Sequence, residues 1–162
     1  MISIQSFTFS PIQENTYVLY DETKQALIID PGCYDERERA ALANFIEQKG
    51  LTPVKLLNTH CHLDHIFGNA FVCEKYKLKP EFNQHDQPVF DAFLPSCQMY
   101  NLNGEVSPPA GNYLNEGDII TFGNSSLEIF FTPGHSPGSI TFYNRDQKFM
   151  IAGDVLFYGS IG

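Results

Sequence analysis

The sequence predicts a layered α/β domain (α+β), in which helices pack on β-sheet. Three observations support this: β-rich segments recur along the chain, segments of helical pattern separate the early ones, and no internal repeat or low-complexity tract interrupts them. Such a mixture buries its apolar faces in packed layers of helix and sheet. A chain of 162 residues is expected to form one domain and to bury about two-thirds of its unfolded surface.

The predicted strands are short segments rich in β-branched and aromatic residues, bounded by turn-forming residues. In chain order they are residues 2–9, 15–20, 25–30, 53–59, 81–83, 118–122, 126–132, 139–144 and 148–152. Residues 21–24 are predicted to form a hairpin turn between the second and third strands.

Three segments are predicted as helices. Residues 35–49 place apolar side chains among charged ones and stop before Gly50, a pattern typical of an amphipathic helix. A second helix is predicted over residues 66–77. A third, over residues 86–99, is weaker because two prolines interrupt it. Residues 100–112 are predicted to form a loop.

Three histidines and one aspartate fall within the six residues His60-Cys61-His62-Leu63-Asp64-His65. Imidazole and carboxylate are common metal ligands, and close spacing lets them share an ion. Because side chains alternate in an extended backbone, His60 and His62 are expected to point the same way and to share one metal. A bend at Leu63 would turn Asp64 and His65 towards a second metal.

Two further strand ends supply residues of the same kinds. His135 lies in a turn with two prolines and two glycines, Pro133-Gly-His-Ser-Pro-Gly138, which can present an imidazole from a sheet edge. Asp154 follows the strand predicted over residues 148–152, and the two oxygens of its carboxylate suit it to bridge two cations. Together with residues 60–65, these positions predict a two-metal site.

The charge and cysteine pattern excludes several classes of partner. The net charge is −9, and an acidic surface without a basic patch argues against nucleic acid or an anionic membrane as partner. No apolar run is long enough for a membrane span. The four cysteines lack metal-site spacing and the N-terminus lacks a signal-peptide pattern, so a cytoplasmic location is predicted.

Four segments of the chain resemble the metallo-β-lactamase-fold hydrolases, and among them the glyoxalase II (hydroxyacylglutathione hydrolase) group. They are Ile28-Ile-Asp-Pro-Gly32, Thr59-His-Cys-His-Leu-Asp-His65, Thr132-Pro-Gly-His-Ser-Pro-Gly138 and Gly153-Asp-Val-Leu-Phe157, in the family's order. The resemblance implies an αββα sandwich without its C-terminal strand and helix. Residues 1–162 are therefore expected to be a single hydrolase domain that is incomplete at its C-terminus.

The resemblance also implies roles for individual residues. His60, His62 and His135 would bind one metal, Asp64 and His65 a second, and Asp154 both, while Asp30 would orient the site without binding a metal. The family supplies a further histidine to the second metal, downstream of the bridging aspartate. No histidine follows Asp154 here, so a partner chain, a further segment or water would complete that site. His85 matches no family ligand and is expected at the surface or at a helix cap.

The function implied by the resemblance is hydrolysis of a small-molecule thioester, such as S-lactoylglutathione, with two Zn²⁺ as cofactors. A metal-bound hydroxide would attack the carbonyl, and Asp64 would orient that nucleophile or accept its proton. Because zinc lowers the pKa of bound water to about 7, hydroxide is available at neutral pH. No serine nucleophile is needed, so Ser136 and Ser139 are interpreted as structural. No cluster of Lys or Arg near the motifs would bind the carboxylates of glutathione.

Other interpretations stay open at this point. A persulfide dioxygenase of the same fold would use one Fe²⁺, here held by His60, His135 and Asp154, and would not need the further histidine. A lactonase or a β-lactamase is an alternative within the hydrolases. A truncated, non-catalytic metal-binding domain is a third, and a homo-oligomer could then complete the fold.

Overall fold

The computed structural model describes residues 1–162 and shows two β-sheets packed face to face, with helices on the outer face of the first. The first sheet has the order β1-β2-β3-β4-β5-β6, the second has the order β10-β9-β8-β7, and β11 and β12 form a separate hairpin. The strands are β1 Ser3–Phe9, β2 Glu14–Tyr20, β3 Gln25–Ile29, β4 Thr52–Leu57, β5 Pro80–Phe82, β6 Asn112–Tyr113, β7 Ile119–Phe122, β8 Ser125–Phe131, β9 Ile140–Asn144, β10 Phe149–Ile151, β11 Leu156–Phe157 and β12 Ser160–Ile161. The helices are α1 Glu36–Gln48, α2 Leu63–Ile66, α3 Asn69–Tyr76, α4 Gln87–Asp91 and α5 Phe93–Met99, with a 3₁₀ turn at Gln84–Asp86.

The direction of the strands places the ends of β3, β4 and β5 at one edge of the first sheet. Strands β1 to β3 are antiparallel, whereas β3, β4, β5 and β6 run parallel to one another. Ile29 at the end of β3 is opposite Leu57 at the end of β4. Asp30 and the segment that leads to His60 therefore leave the sheet side by side.

Three buried clusters hold the layers together. The largest fills the space between the two sheets, with Leu27 and Leu57 from the first sheet against Ile129 and Phe142 from the second. A second cluster packs helices α1 and α3 onto the other face of the first sheet. A third joins α2, α4 and α5 to strand β5. These layers confirm the predicted α/β fold class.

Most predicted elements are confirmed with small shifts at their ends, and the others need correction. The strand predicted over residues 53–59 ends at Leu57, so His60 and His62 lie in irregular backbone after it. The loop predicted over residues 100–112 ends in strand β6, and the hairpin of β11 and β12 was not predicted.

The helix predicted over residues 66–77 is confirmed as α3 but begins later, at Asn69, because Ile66 belongs to the separate short helix α2. The break lies at Gly68, whose backbone N–H donates to the carbonyl oxygen of Pro31 at 2.7 Å. A Cβ at Gly68 would lie 2.3 Å from the Cys33 sulfur, so only glycine allows this close approach. The approach brings α2 against the loop that follows β3.

The helix predicted over residues 86–99 is interrupted in the way its prolines indicate. Helix α4 ends at Asp91 and α5 begins at Phe93. Pro95 has no N–H to donate to Asp91, and this favours a new helix whose first turn contains the proline.

No helix of the chain combines the length and the apolar composition that a membrane span requires. All four cysteines are free and buried.

Candidate metal centre

The candidate site lies at the edge where β3 and β4 end and α2 begins. His60 and His62 follow β4, and α2 begins at Leu63, which confirms the predicted bend there. The first turn of α2 carries Asp64 and His65 inwards, so both are buried. Residues 60–65 therefore supply side chains to the site both from the backbone after β4 and from the first turn of α2.

Three histidine rings converge at this point. The ring centroids of His60 and His62 are 4.8 Å apart, and those of His62 and His135 are 4.7 Å apart. Nδ1 of His62 lies 3.0 Å from Nε2 of His135. One ring nitrogen from each of the three histidines lies within 4.8 Å of the others, a spacing that could hold a metal ion. The structure thus brings together residues that are 75 positions apart in sequence, from His60 to His135.

A second group lies beside the first and consists of Asp64, His65 and Asp154. Nε2 of His65 is 3.2 Å from Oδ2 of Asp154 and 3.5 Å from Oδ2 of Asp64. The same Asp154 oxygen is 3.3 Å from Nε2 of His135 and 3.7 Å from Nε2 of His60. The Asp154 carboxylate therefore stands between the two groups.

Asp30 lies behind His65 and is fully buried. Its Oδ1 accepts a hydrogen bond from the backbone N–H of Thr59 at 2.7 Å, and its Oδ2 accepts one from the Thr59 hydroxyl at 2.6 Å. Oδ2 is also 3.0 Å from Nδ1 of His65. With Nδ1 engaged by Asp30, the Nε2 atom of His65 is the one left to face the site. Asp30, His60 and His65 also form a close group, but these contacts already use both oxygens of Asp30.

Burial and neighbouring charges set the ionisation of the histidines. Burial lowers the pKa of His60, and the other histidines nearby lower it further. Burial and then His135 lower the pKa of His62. Both rings are therefore neutral, the form that binds metal. Nε2 of His60 is buried and has no hydrogen-bond partner. An orphaned buried nitrogen is costly, and a metal ion would satisfy it.

The carboxylates respond to the same surroundings. Burial raises the pKa of Asp64, and the charge of His65 opposes this. Burial alone would raise the pKa of Asp154, but the hydrogen bond and charge of His65 lower it. Burial would lower the pKa of His65, but Asp30 and Asp154 raise it well above its usual value. In the absence of an ion, a proton on His65 compensates these acids, and a metal at Nε2 would take its place.

Asp86, a fully buried carboxylate close to the site, is not predicted from the sequence. It accepts hydrogen bonds from the backbone N–H of Cys61 at 2.6 Å, the hydroxyl of Ser136 at 2.5 Å and the backbone N–H of Gly138 at 2.6 Å. Ser136 thus has the structural contact expected of it. No spacing rule marks Asp86, since its partners are far away in sequence and it falls at the start of a predicted helix.

Glu14 was also missed, and it too is buried near His65. One of its oxygens is 3.9 Å from Nδ1 of His65, and the carboxylate accepts a hydrogen bond from the Thr16 hydroxyl. Burial raises the pKa of Glu14 well above its usual value. By contrast, His85 lies on the surface, where its ring contacts the side-chain oxygen of Asn83, as expected.

A cavity of about 600 Å³ opens in front of the histidines. Its base is formed by His62, Asp64, His135 and Asp154, and apolar side chains form its walls. Such a cavity falls in the usual size range of small-molecule sites. The candidate metal ligands are therefore accessible to a small molecule from one side.

These features place the chain in a known class. It belongs to the metallo-beta-lactamase superfamily, whose family model matches residues 10–162. It is 42% identical over 155 residues to the probable metallo-hydrolase YqgX of Bacillus subtilis, a match that covers 94% of this chain and 70% of that protein.

Two further relatives are named as enzymes of different kinds. The hydroxyacylglutathione hydrolase GloC of Haemophilus influenzae is 34% identical over 169 residues, covering 99% of this chain and 75% of that protein. The mitochondrial persulfide dioxygenase ETHE1 of Mus musculus is 35% identical over 150 residues, covering 91% of this chain and 50% of that protein.

Solved structures show the same fold. The crystal structure of the B3 metallo-beta-lactamase BLEG-1 superposes with a TM-score of 0.87 at 32% identity, covering 99% of this chain and 76% of that chain. The di-iron-bound form of TTHA1623 superposes with a TM-score of 0.85 at 31% identity, covering 98% of this chain and 75% of that chain. The chain thus spans about three-quarters of the length of these structures.

Proposed function

We propose that this protein is a metal-dependent hydrolase that cleaves a thioester bond in a small molecule. The observation that carries the proposal is the position of Asp154, whose Oδ2 lies within 3.7 Å of His60, His65 and His135. A carboxylate between two sets of ligands suits a pair of ions. Similarity to the hydroxyacylglutathione hydrolase of H. influenzae, over nearly the whole chain, favours a thioester as the substrate.

The donor atoms fit divalent metal ions, and we propose two Zn²⁺. His60, His62 and His135 would hold one ion, Asp64 and His65 the second, and Asp154 both. The partnerless Nε2 of His60 supports an ion at the first position. Ions held in this way would lower the pKa of a water molecule and polarise a substrate carbonyl.

The side chains around the ligands then have definite tasks. Asp30 holds His65 so that its Nε2 faces the site. Asp64 faces the cavity and is placed to orient the attacking water or to accept its proton. The apolar walls would hold the substrate so that its carbonyl lies next to the ligands. The thiol of a thioester leaves readily as thiolate, so the reaction needs no general acid to protonate the leaving group.

The test combines metal analysis with thioester hydrolysis in purified protein. Free thiol released from S-lactoylglutathione reports the reaction, and elemental analysis reports the metal. His135→Ala is expected to lose metal and at least about 100-fold in kcat/KM, because it removes a ligand. His85→Ala is the matched control, since this histidine is exposed and belongs to none of the close groups of candidate ligands. Equal activity of the two variants would contradict the proposal.

A persulfide dioxygenase is the second candidate, favoured by similarity to ETHE1 and by the closeness of His60 and His135 to Asp154. In that enzyme class His62 would not bind the metal. Here His62 lies 3.0 Å from His135, which favours a three-histidine set. One iron per chain, with oxygen consumed in the presence of glutathione persulfide, would decide for the dioxygenase. Bound metal with neither activity would indicate a non-catalytic domain.

The net charge and the free cysteines of the protein indicate its partners and its cellular location. Its net charge of −9 disfavours nucleic acid and anionic membranes as partners. Four free, buried cysteines agree with a reducing compartment, so we propose the cytoplasm as its location. The proposed substrate is a small molecule. A homo-oligomer is the proposed protein partner, and a measurement of molar mass in solution would detect it.

A further inference from the structure

The cavity in front of the candidate ligands has walls of one chemical kind. Its apolar lining comprises Leu63 and Val89, Phe93, Met99 and Tyr100 of the α5 region, and Ile12 of the turn between β1 and β2. Cys61 and Ser96 complete the lining, and Ser96 is the only hydroxylated wall residue besides Tyr100. The walls are therefore suited to contact a hydrocarbon group of a ligand.

The rim of the cavity exposes its apolar side chains to solvent. Met99 is 78% exposed, Tyr100 63% and Ile12 47%. Single exposed apolar residues are common and need no explanation. These three, however, surround the entrance to a cavity that contains the candidate metal ligands. Exposed apolar side chains at such an entrance indicate contact with an apolar ligand.

No lysine or arginine lines the cavity, and its only formal charges are the carboxylates of Asp64 and Asp154 at the base. Metal ions bound at the base would compensate those two acids. A charged group lying along the walls would lose water without gaining a partner, which is unfavourable. The arm of the substrate that lies in this cavity is therefore uncharged.

The soluble thiol carriers glutathione and coenzyme A are polar and charged, so we assign the apolar arm to the acyl side of a thioester. We infer that the cavity is an acyl-binding subsite and that the substrate is a thioester of an uncharged, medium-length aliphatic acid. This inference rests on the proposed thioester hydrolysis and specifies its substrate class. The carbonyl would lie at the base beside Asp154, and the acyl chain would run between Ile12 and Met99.

The first test varies only the acyl chain. Acetyl, butanoyl, hexanoyl and octanoyl thioesters of N-acetylcysteamine share one small, neutral thiol, and S-lactoylglutathione serves for comparison. With metal-loaded protein, kcat/KM is expected to rise about fourfold for each methylene group buried, which gives about 200-fold between acetyl and hexanoyl. Hexanoyl thioester is also expected to exceed S-lactoylglutathione.

Two exposed positions allow a matched pair of variants. Met99→Lys places a charge at the rim and is expected to reduce the hexanoyl-to-acetyl ratio of kcat/KM at least tenfold. Met150→Lys makes the same change at a methionine that is 51% exposed in strand β10 of the second sheet, and it is expected to leave the ratio unchanged. Equal effects of the two variants would overturn the inference.

Binding measured without reaction separates the two proposals. S-alkyl thioethers of N-acetylcysteamine cannot be hydrolysed, and calorimetry with metal-loaded protein should show affinity that increases with alkyl length. Flat affinity together with kcat/KM independent of acyl length would overturn the acyl subsite while hydrolysis stands. Length-dependent binding with no hydrolysis of any thioester would overturn the proposed function and support the apolar subsite.

Discussion

The carboxylate of Asp86 accepts a 2.5 Å hydrogen bond from the hydroxyl of Ser136, the residue that follows His135. Its other oxygen accepts a bond from the backbone N–H of Cys61, which lies between His60 and His62. One buried side chain therefore connects the two segments that carry the three converging histidines. Asp86 makes no hydrogen bond to these rings, so it positions them through the segments that carry them, and its charge opposes the lowering of the His62 pKa.

Asp86→Asn is expected to weaken metal binding about tenfold, because the amide keeps one acceptor oxygen and loses the other. The lost acceptor leaves a buried donor without a partner, which lowers the free energy of unfolding by about 1–3 kcal/mol. Titration with a competing chelator measures the affinity, and urea unfolding measures the stability.

Asp91→Asn is the control for this change. Asp91 lies in the adjacent helix α4 and accepts a hydrogen bond from Gln87 at the surface. Its substitution should alter neither metal affinity nor stability. Metal affinity of Asp86→Asn equal to that of the unaltered chain would show that the two segments hold their positions without this carboxylate.

The sequence indicated the converging histidines because each carries its signal locally. His60, His62 and His65 lie within six residues of one another, and His135 lies among glycines and prolines in a turn. Asp86 has no such signal, since its partners lie 25 and 50 residues away. Sequence patterns report periodicity and composition, and neither changes when a side chain bonds across the fold.

The same reasoning explains the break between α2 and α3. The sequence predicts one helix over residues 66–77, and neither the short helix α2 nor the break after it is predicted. What ends the first helix is the contact of Gly68 with Pro31 and Cys33, which exists only after β3 and α2 have come together. Tertiary contact here outweighs local helix propensity.

Asp30→Asn tests whether the buried aspartate orients His65. The amide has nearly the same size, but it can no longer accept bonds at both positions, so His65 is expected to lose its fixed orientation. We expect the second ion to dissociate about 10–100-fold more readily while the first is retained. Metal content after extensive dialysis measures this difference. Asp35→Asn, which replaces one good N-cap of α1 with another, is the control and should keep both ions. Loss of both ions from Asp30→Asn to the same extent would argue against a specific effect on His65.

The carboxylate of Asp21 lies outside the candidate metal centre and makes the free energy of unfolding depend on pH. It accepts hydrogen bonds from Thr23, from the backbone N–H of Asn124 at 2.8 Å and from the Ser125 hydroxyl at 2.9 Å, which join two hairpins. Burial alone would raise the pKa of Asp21, but these bonds lower it to about 2. In the unfolded chain the pKa is near 3.9, so the folded state favours the charged form.

A lowered folded-state pKa means that the stabilisation is present above about pH 4 and is lost as the pH falls towards about 2. Asp21→Asn should therefore reduce the free energy of unfolding by about 1–2 kcal/mol at pH 7, and the difference should shrink between pH 4 and pH 2. Urea unfolding across this range measures it. Asp146→Asn, at an exposed turn, should show no difference at any pH. A difference for Asp21→Asn that stayed constant down to pH 2 would contradict the role of its charge.

Gly153 determines how close Asp154 comes to His60. Its φ is +55°, and a Cβ there would lie 2.4 Å from the Thr59 hydroxyl oxygen and 2.9 Å from the Thr59 Cβ. Gly50 offers a matched control, because its φ is +63° and no atom lies within 4 Å of its Cβ position. Alanine at either position introduces the same backbone strain, about 1–2 kcal/mol. Only Gly153→Ala should also push the Asp154 segment away from Thr59 and reduce bound metal. Thermal unfolding and elemental analysis of both variants separate strain from displacement, and equal metal content in the two would show that Asp154 tolerates the shift.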